Sequence, residues 1–453
     1  MSKELHKILQ AREDRAHKRN AIAATANASV SLSLNIPSYP KHNALCRQVF
    51  PWIVDELKIH LLAHRVELGT EEMIIDEAGL LYLVAIEESD DLKLLKNITE
   101  SFESNHSVSR ILDVDVYDEQ AKPVSSGKKK PCIICKDSSA VECMREGRHD
   151  YEELRAKMFS MLEDYKDQHS ALEISEKLSE LCSRALLYEV SLSPKPGLVD
   201  YYNSGAHKDM NYYSFLNSTA ALAPLWKDFA LAAWKEDVDL STALSQIRVL
   251  GLKAEQRMFA ATRNVNTQKG LIFLLGIAVF SISYLTKMAQ ELSEQNIRNC
   301  IRSICQDMVN TELTASSKKQ VSHGEKTFQK YGIKGAGARY EAQEGFPVVF
   351  ETALPFLESH REKLDFQNKE TMGELLSQTL LNIMANTNDS NVLYRKGSKI
   401  AEELKKLASE ALLNKDNYNK LASFCSEEQI SPGGSADMLA VTMFFYDVKQ
   451  EIV

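Results

Sequence analysis

Cysteine is scarce for a chain of this length. Eight cysteines in 453 residues do not make a disulfide scaffold of the kind that small secreted domains use. No basic surplus exists either. Lys and Arg number 54 against 63 Asp and Glu, a formal net charge of −9. That balance argues against a nucleic-acid partner, because such binding rests on cations replacing phosphate counterions. The first residues, Met1 to Asn20, are charged throughout and hold no apolar core, so they do not read as a secretory signal. Long hydrophobic runs are nearly missing. Only Gly270 to Thr286 is apolar enough to consider as a membrane span; it is at the lower limit of length, carries Ser281, Ser283 and Tyr284, and stands alone. It reads as a buried core helix, and a cytoplasmic protein with no membrane partner is expected. There is no internal repeat and no low-complexity tract.

What is present fits a globular protein of two or three domains: 453 residues, 44% hydrophobic and 26% charged. The first 150 residues read as α/β with a mixed sheet. Ser29 to Ile36 alternates strictly, with Val30, Leu32, Leu34 and Ile36 on one face and Ser29, Ser31, Ser33 and Asn35 on the other, which predicts a half-buried strand. Met73-Ile74-Ile75 and Leu80 to Ile86 flank Asp76-Glu77-Ala78-Gly79 as a hairpin would, and Arg110 to Asp118 alternates again. Helices are expected over Ser2 to Arg19, Asn43 to His64 and Asp91 to Phe102, the second kinked or split at Pro51. After a polar loop, Lys122 to Lys130, the period turns helical from Tyr151, and Ile174, Leu178, Leu181, Ala185 and Tyr188 make one stripe. Domains over 1–165 and 170–453 follow, joined within Asp164 to Ser170. Fourteen of the 18 glycines lie after residue 170. A glycine inside a helix costs about 0.5–1 kcal/mol relative to alanine, so these are expected mostly in connections. The second domain then reads as an all-α scaffold with Gly-rich ligand loops on one side.

Six motifs in that second domain put a carboxylate, cation or amide beside a chain-bending residue. The first, Ser193-Pro194-Lys195-Pro196-Gly197-Leu198-Val199-Asp200, continues through Asn203 to His207, Lys208 and Asp209. The others are Glu255 with Asn266-Thr267-Gln268-Lys269-Gly270; Ser322-His323-Gly324-Glu325; Gly335 to Pro347; Asp389-Ser390-Asn391 with Arg395; and Ser431 to Asp437, which holds Gly433-Gly434. Such loops suit phosphate and divalent metal, and Lys269-Gly270 stands where a helix N-terminus binds an anion. Taken singly, an Asp beside Gly or Pro is a turn or cap residue, and Glu255 is a solvated helix face. Taken in order over some 280 residues, from Ala171 on, the set resembles the triphosphoribosyl-dephospho-CoA synthases.

The resemblance implies that the ribose 2′-hydroxyl of 3′-dephospho-CoA attacks C1′ of ATP and adenine leaves. That chemistry needs carboxylates near an oxocarbenium-like centre, a base, and Mg²⁺ with cations for three phosphates. Asp200, Asp209, Glu255, Asp389 and Asp437 are its carboxylate candidates, with Asp209, Glu255, Asp389 and Asp437 for Mg²⁺. Lys195, Lys269, Arg339 and Arg395 are its phosphate candidates, Gly197, Asn203, Asn266, Gly270, Asn391, Gly433 and Gly434 line the loops, and His207 and His323 bind phosphate or assist adenine departure. The family carries His, Asp and Gly where Gln268, Asn211 and Tyr340 stand here; Gln268 removes a titratable group from that position.

In the first domain, Arg110 to Tyr117 reads R-I-L-D-V-D-V-Y. On a strand, Asp113 and Asp115 share a face roughly 6–7 Å apart, a spacing that clasps Mg²⁺ as nucleotidyl-transfer sites do; a solvent-facing alternation gives the same pattern. Next comes Cys132-x2-Cys135-x7-Cys143-x5-His149, with the ligand count of a Cys3His zinc site, or else reduced structural thiols. With Arg12-Glu13-Asp14-Arg15 and Asn35 to Lys41, these motifs resemble apo-citrate lyase phosphoribosyl-dephospho-CoA transferase over about residues 1–160. This second resemblance implies transfer of the phosphoribosyl-dephospho-CoA unit to a serine of the citrate lyase acyl-carrier (gamma) subunit with release of pyrophosphate, Asp113 and Asp115 holding Mg²⁺ and Arg12, Arg15, Lys41 and Arg110 facing the triphosphate. The product of one reaction is the substrate of the other, so a bifunctional fusion is expected. A carrier-binding maturation scaffold with one active half, and the equivalent enzyme for a malonate decarboxylase carrier, are the alternatives.

Overall fold

The computed structural model describes residues 3–87, 91–313, 323–363 and 368–452. It divides into two compact units, Met1–His169 and Ser170–Val453.

The first unit runs α1 (Lys3–Ala23), β1 (Ala28–Leu34), α2 (Ala44–Ala63), β2 (Leu68–Asp76), β3 (Gly79–Ile86), α3 (Leu92–Asn105), β4 (Leu112–Asp118) and α4 (Ala140–Glu146), and ends within α5 (Tyr151–Ser191). Asn43 and Asp91 cap α2 and α3 by accepting the amides of Cys46 and of Lys93 and Leu94. α2 passes through Pro51 as one helix, so it is not split there.

The sheet has the order β2-β3-β1-β4 and every neighbouring pair is antiparallel. The expected mixed sheet is therefore wrong. Helices between strands suggested parallel neighbours; here each helical crossover, β1-α2-β2 and β3-α3-β4, skips one strand, so the strands it joins run parallel but are not adjacent. The half-buried reading of β1 is also corrected: Ser29 is 1% and Ser31 4% exposed. β1 is an inner strand, and its sheet is covered on both sides. Val30, Leu32, Val84, Val114 and Val116 join Phe50, Ile53, Leu57, Leu95 and Phe102 of α2 and α3 in one core. α1 packs on β1 and β3, burying Ile8, Ala11 and Arg15 where the serine face lies.

The second unit continues α5 and adds α6 (Tyr212–Leu222), α7 (Trp226–Ala232), α8 (Leu240–Ala261), α9 (Lys269–Lys287), α10 (Glu294–Ile304), α11 (Met308–Leu313), α12 (His323–Tyr331), α13 (Ala338–Gln343), a π-helical turn (Val348–Ala353), α14 (Leu354–Ser359), α15 (Lys369–Asn386), α16 (Ser390–Lys396), α17 (Ser398–Ala411), α18 (Lys415–Glu427) and α19 (Gly433–Glu451). No strand occurs among its described residues. The apolar run is α9, long and apolar enough to cross a membrane by length and composition. In this fold it is the central helix, packed by α7, α8, α10, α13 and α19. Gly251, Gly270, Gly276, Gly324, Gly373, Gly433 and Gly434 lie inside helices rather than connections. Packing overrides propensity at two of them: a Cβ on Gly276 would meet the Phe229 ring at 2.6 Å, and one on Gly270 would meet Asp437 Oδ2 at 2.4 Å.

Candidate functional site

In the second unit the Pro/Gly-rich segment after α5 is built around Asp200. Its carboxylate accepts the amides of Lys195 (3.0 Å), Tyr202 (2.8 Å) and Asn203 (2.9 Å) and the Asn203 side-chain amide (3.2 Å). Lys195 turns inward to the carbonyl of Glu189 at 2.7 Å and to its carboxylate, and is 3% exposed. Gly197 has φ +72°, and a Cβ there would sit 2.1 Å from the Ile430 carbonyl oxygen, so no other residue fits. Asp200, Lys195, Gly197 and Asn203 thus shape the loop, and none lines the adjoining cavity. What the loop delivers to that cavity is His207, Lys208 and Asp209.

The cavity has a volume of about 830 Å³ and gathers stretches far apart in sequence. His207, Lys208 and Asp209 meet Asn266 to Gly270 at the start of α9, Tyr340 and Glu341 of α13, Asp389 at the cap of α16 with Asn391 and Arg395 inside that helix, and Gly433, Gly434 and Asp437 of α19. Asp389 accepts the amides of Asn391 (2.9 Å) and Val392 (3.3 Å) and that of Ser435 (3.1 Å), tying the starts of α16 and α19 together. Burial pushes its carboxyl up while those amides pull it down. Asp437 is pushed well up by burial and then by the charges of Glu189 and Asp389. Three carboxylates thus crowd one wall, where a cation relieves their repulsion. His207 donates to or accepts from Ser431 Oγ at 2.7 Å and stands 3.8 Å from Asp209. Burial, then Arg395, lowers its pKa, which favours the neutral ring. Among the described residues no carboxylate pairs with Lys208 or Arg395, leaving both cations for an anionic ligand.

Several residues expected in this site stand elsewhere. Glu255 is outside the lining and holds Lys269 at 2.7 Å. Arg339 faces Glu312 at 2.9 Å, both side chains being partly exposed, and does not line the cavity. Ser322 and the side chain of His323 lie outside the described residues. Gln268 lines the cavity at 2% exposure; Ser218 donates to its Oε1, while its Nε2 has no partner.

Sequence reasoning missed Glu341. It is 7% exposed, accepts the Val348 amide at 3.2 Å, and burial raises its carboxyl to about 7. The signal was its place two residues after Arg339: two residues on a helix point to nearly opposite sides, so one of the pair had to leave the cavity.

In the first unit Asp113 and Asp115 share one face of β4, opposite Ser33 and Ser31 of β1. Lys130 Nζ is 3.1 Å from Asp113, and Glu103 binds Lys130 at 2.5 Å. Lys96 is 3.9 Å from Asp115. Burial, then the Asp113 charge, raises the Asp115 carboxyl. The ammonium groups of Lys130 and Lys96 thus face Asp113, Asp115 and Glu103, and the charges of Arg19 and Arg110 reach Asp115 and Glu103 as well. Arg110 is half-buried, its Nε unpartnered and its pKa lowered by burial.

Arg15 does not join this group. It is a buried structural residue, bonded to Asp76 at 2.7 and 2.9 Å and to the Gly79 carbonyl at 2.9 Å. Lys41 donates to the Ile36 carbonyl at 2.9 Å and lines a separate open cavity of about 880 Å³ with His6, Lys7, His42 and Arg47. Arg12 is exposed on α1, near enough that its charge lowers the Lys41 pKa after burial does. Cys132, Cys135, Cys143 and His149 are brought together, one donor atom from each lying within 4.8 Å of the others.

Comparison with known proteins agrees with this division. Residues 175–452 match the family CitG, ATP:dephospho-CoA triphosphoribosyl transferase. Residues 3–165 match CitX, apo-citrate lyase phosphoribosyl-dephospho-CoA transferase. The chain is 31% identical to "Protein CitXG" of Leuconostoc mesenteroides subsp. cremoris over 97% of its own length and 96% of the relative's. It is 30% identical to "Protein CitXG" of Haemophilus influenzae over 97% and 95%. A probable 2-(5''-triphosphoribosyl)-3'-dephosphocoenzyme-A synthase of Vibrio cholerae is 38% identical over 60% of this chain and 88% of the relative. The chain is a transferase of citrate lyase prosthetic-group synthesis and belongs to the family of CitXG fusions, with a CitX part followed by a CitG part.

Proposed function

We propose that the second unit makes 2'-(5''-triphosphoribosyl)-3'-dephospho-CoA from ATP and 3'-dephospho-CoA, and that the first unit installs it. The single observation that carries this reading is the cavity on which five separated stretches converge, with Asp389 and Asp437 and the cations Lys208, Lys269 and Arg395 together in its lining.

In the first reaction the 2′-hydroxyl oxygen of dephospho-CoA bonds to C1′ of the ATP ribose as the C1′–N9 bond breaks. Adenine departs with that electron pair and a proton, and the triphosphate stays on the transferred ribose. Glu341, ionised at and above about pH 7, takes the hydroxyl proton through the oxygen not held by Val348. A base with such a value works near its best at neutral pH. Lys208, Lys269, Arg395 and the amides at the starts of α9 and α19 bind phosphate oxygens. His207, neutral and fixed on Ser431, borders the leaving purine.

In the second reaction a serine oxygen of the citrate lyase acyl-carrier subunit attacks the phosphorus next to the ribose, its proton is lost to base, and pyrophosphate leaves. Arg110 is the group that faces the triphosphate, and Asp113 and Asp115 would hold the Mg²⁺ that neutralises it.

Mg²⁺ fits both units, because each holds neighbouring carboxylates whose charges oppose one another: Asp437 with Asp389 and, at the rim, Asp209 would hold it in one, Asp113 and Asp115 in the other. When bound, it neutralises phosphate charge as the bonds rearrange.

The experiment is one incubation of purified full-length protein with ATP, 3′-dephospho-CoA, Mg²⁺ and the apo-carrier. Adenine release and the mass of the carrier are followed together. Adenine release with a carrier that gains the phosphoribosyl-dephospho-CoA mass supports both steps in order. No adenine release, but labelling from supplied triphosphoribosyl precursor, refutes the first assignment and leaves the second.

A further inference from the structure

The Cys/His cluster of the first unit belongs to neither reaction. It sits in the segment that follows the Asp113–Asp115 strand, and that segment has almost no core. Between Pro131 and His149 only Cys132, Ile133 and Cys143 are buried, and two of those are members of the cluster. Apolar burial at roughly 25 cal/mol per Å² has little to act on here, so another tie must fix the fold.

Local structure prepares the four donors from two directions. Cys132 and Cys135 lie on a tight turn: the Cys132 amide bonds the Ser138 carbonyl at 2.8 Å, the Ala140 amide bonds the Lys130 carbonyl at 2.9 Å, and Lys136 adopts φ +60°. Cys143 lies on α4, which begins with the Ser139–Glu142 capping box and ends at Gly147 in the left-handed conformation. The Arg148 amide then returns to the Cys143 carbonyl at 3.1 Å and delivers His149. One donor atom from each of the four lies within 4.8 Å of the rest, Cys135 and Cys143 sulfurs being 3.5 Å apart. A tetrahedral zinc ion with Zn–S near 2.3 Å places its sulfurs about 3.8 Å from one another, whereas a disulfide needs about 2.05 Å. His149 Nε2 is buried and has no hydrogen-bond partner.

We propose that Cys132, Cys135, Cys143 and His149 form a structural zinc site. Three thiolates and one imidazole complete a tetrahedron and leave no open position, which is the arrangement of a structural rather than a catalytic zinc. The ion substitutes for a missing core, and it holds the end of the segment from which Lys130 reaches Asp113 and Glu103. Zinc therefore braces the acidic strand without touching a substrate.

The test uses the full chain purified from zinc-supplemented medium, and needs no substrate, so its outcome is separate from that of the two reactions. Elemental analysis is expected to find one zinc per chain, lost in Cys135→Ser and Cys143→Ser and kept in Cys46→Ser, whose thiol is buried elsewhere. Growth with Co²⁺ in place of zinc is expected to give the intense visible absorption of thiolate-bound tetrahedral cobalt, a measurement on the unaltered sequence that holds even where a cysteine variant fails to fold. A metal-free preparation whose cluster thiols alkylate at the same rate with and without added Zn²⁺ would overturn the site. A Cys135–Cys143 disulfide found by mass, or stoichiometric iron or copper in place of zinc, would overturn it equally.

Discussion

Glu341→Gln separates a carboxylate that is only buried from one poised as a base. Burial holds Glu341 at about 7 against an ordinary 4.5. A raised carboxyl is neutral in the folded state at low pH, so its favourable contribution is complete below about pH 4.5 and is lost as pH rises through about 7. At about 1.4 kcal/mol per pH unit of difference, the loss reaches roughly 3 kcal/mol. Glutamine keeps the shape and an acceptor for the Val348 amide and cannot ionise. The variant is therefore expected to gain on the parent by about 2–3 kcal/mol between pH 5 and pH 8. Urea unfolding at both values reads this. Trp52→Phe as a common background leaves Trp226 and Trp234 reporting on the second unit. In the adenine-release assay the parent is expected to gain activity as pH rises through about 7, and the variant to lose roughly 10²–10⁴-fold. A stability gap that does not change with pH refutes the buried-acid argument. A changing gap with full activity in the variant refutes the base and leaves the burial.

Asp113→Asn and Asp115→Asn are expected to abolish carrier labelling and leave adenine release intact, as followed by mass and by chromatography; loss of both with the fold preserved would sink the separation of the two sites. Gln268→His is expected to keep adenine release within about threefold, below 1 kcal/mol, because a ring nitrogen can take the Ser218 hydroxyl as the amide oxygen now does. Arg15→Ala leaves Asp76 without its cation and the Gly79 carbonyl without its donor, and should destabilise the first unit by about 3 kcal/mol in thermal unfolding; a change below 1 kcal/mol would return Arg15 to the list of phosphate ligands.

Much of the architecture is legible from local pattern. The hairpin of β2 and β3 follows from two apolar runs about a turn, and the burial of α9 from a lone apolar run that carries Ser281, Ser283 and Tyr284, since both report how one element meets its surroundings. The neighbours of a strand do not follow from such patterns. β1 reads as half-buried because its serines alternate with apolar residues, yet α1 closes over the serine face. The antiparallel sheet was equally hidden, because it depends on each crossover skipping a strand.

At the site the division runs the same way. The chain's own order of motifs picked out stretches that meet in space: His207, Asp389, Asp437 and the start of α9 line one cavity. Tertiary structure alone decided which side chain of each stretch reaches it. Lys195 and Asp200 are drawn inward by Glu189 and by their own loop amides, Arg339 by Glu312, and Arg15 by Asp76. Glu341 takes the place that Arg339 leaves. A sequence carries the identity and order of charged residues, which here sufficed to show a resemblance to two families. The direction of each charge is set by through-space partners and helix phase, and a buried group goes where its unmet hydrogen bonds and charge cost least.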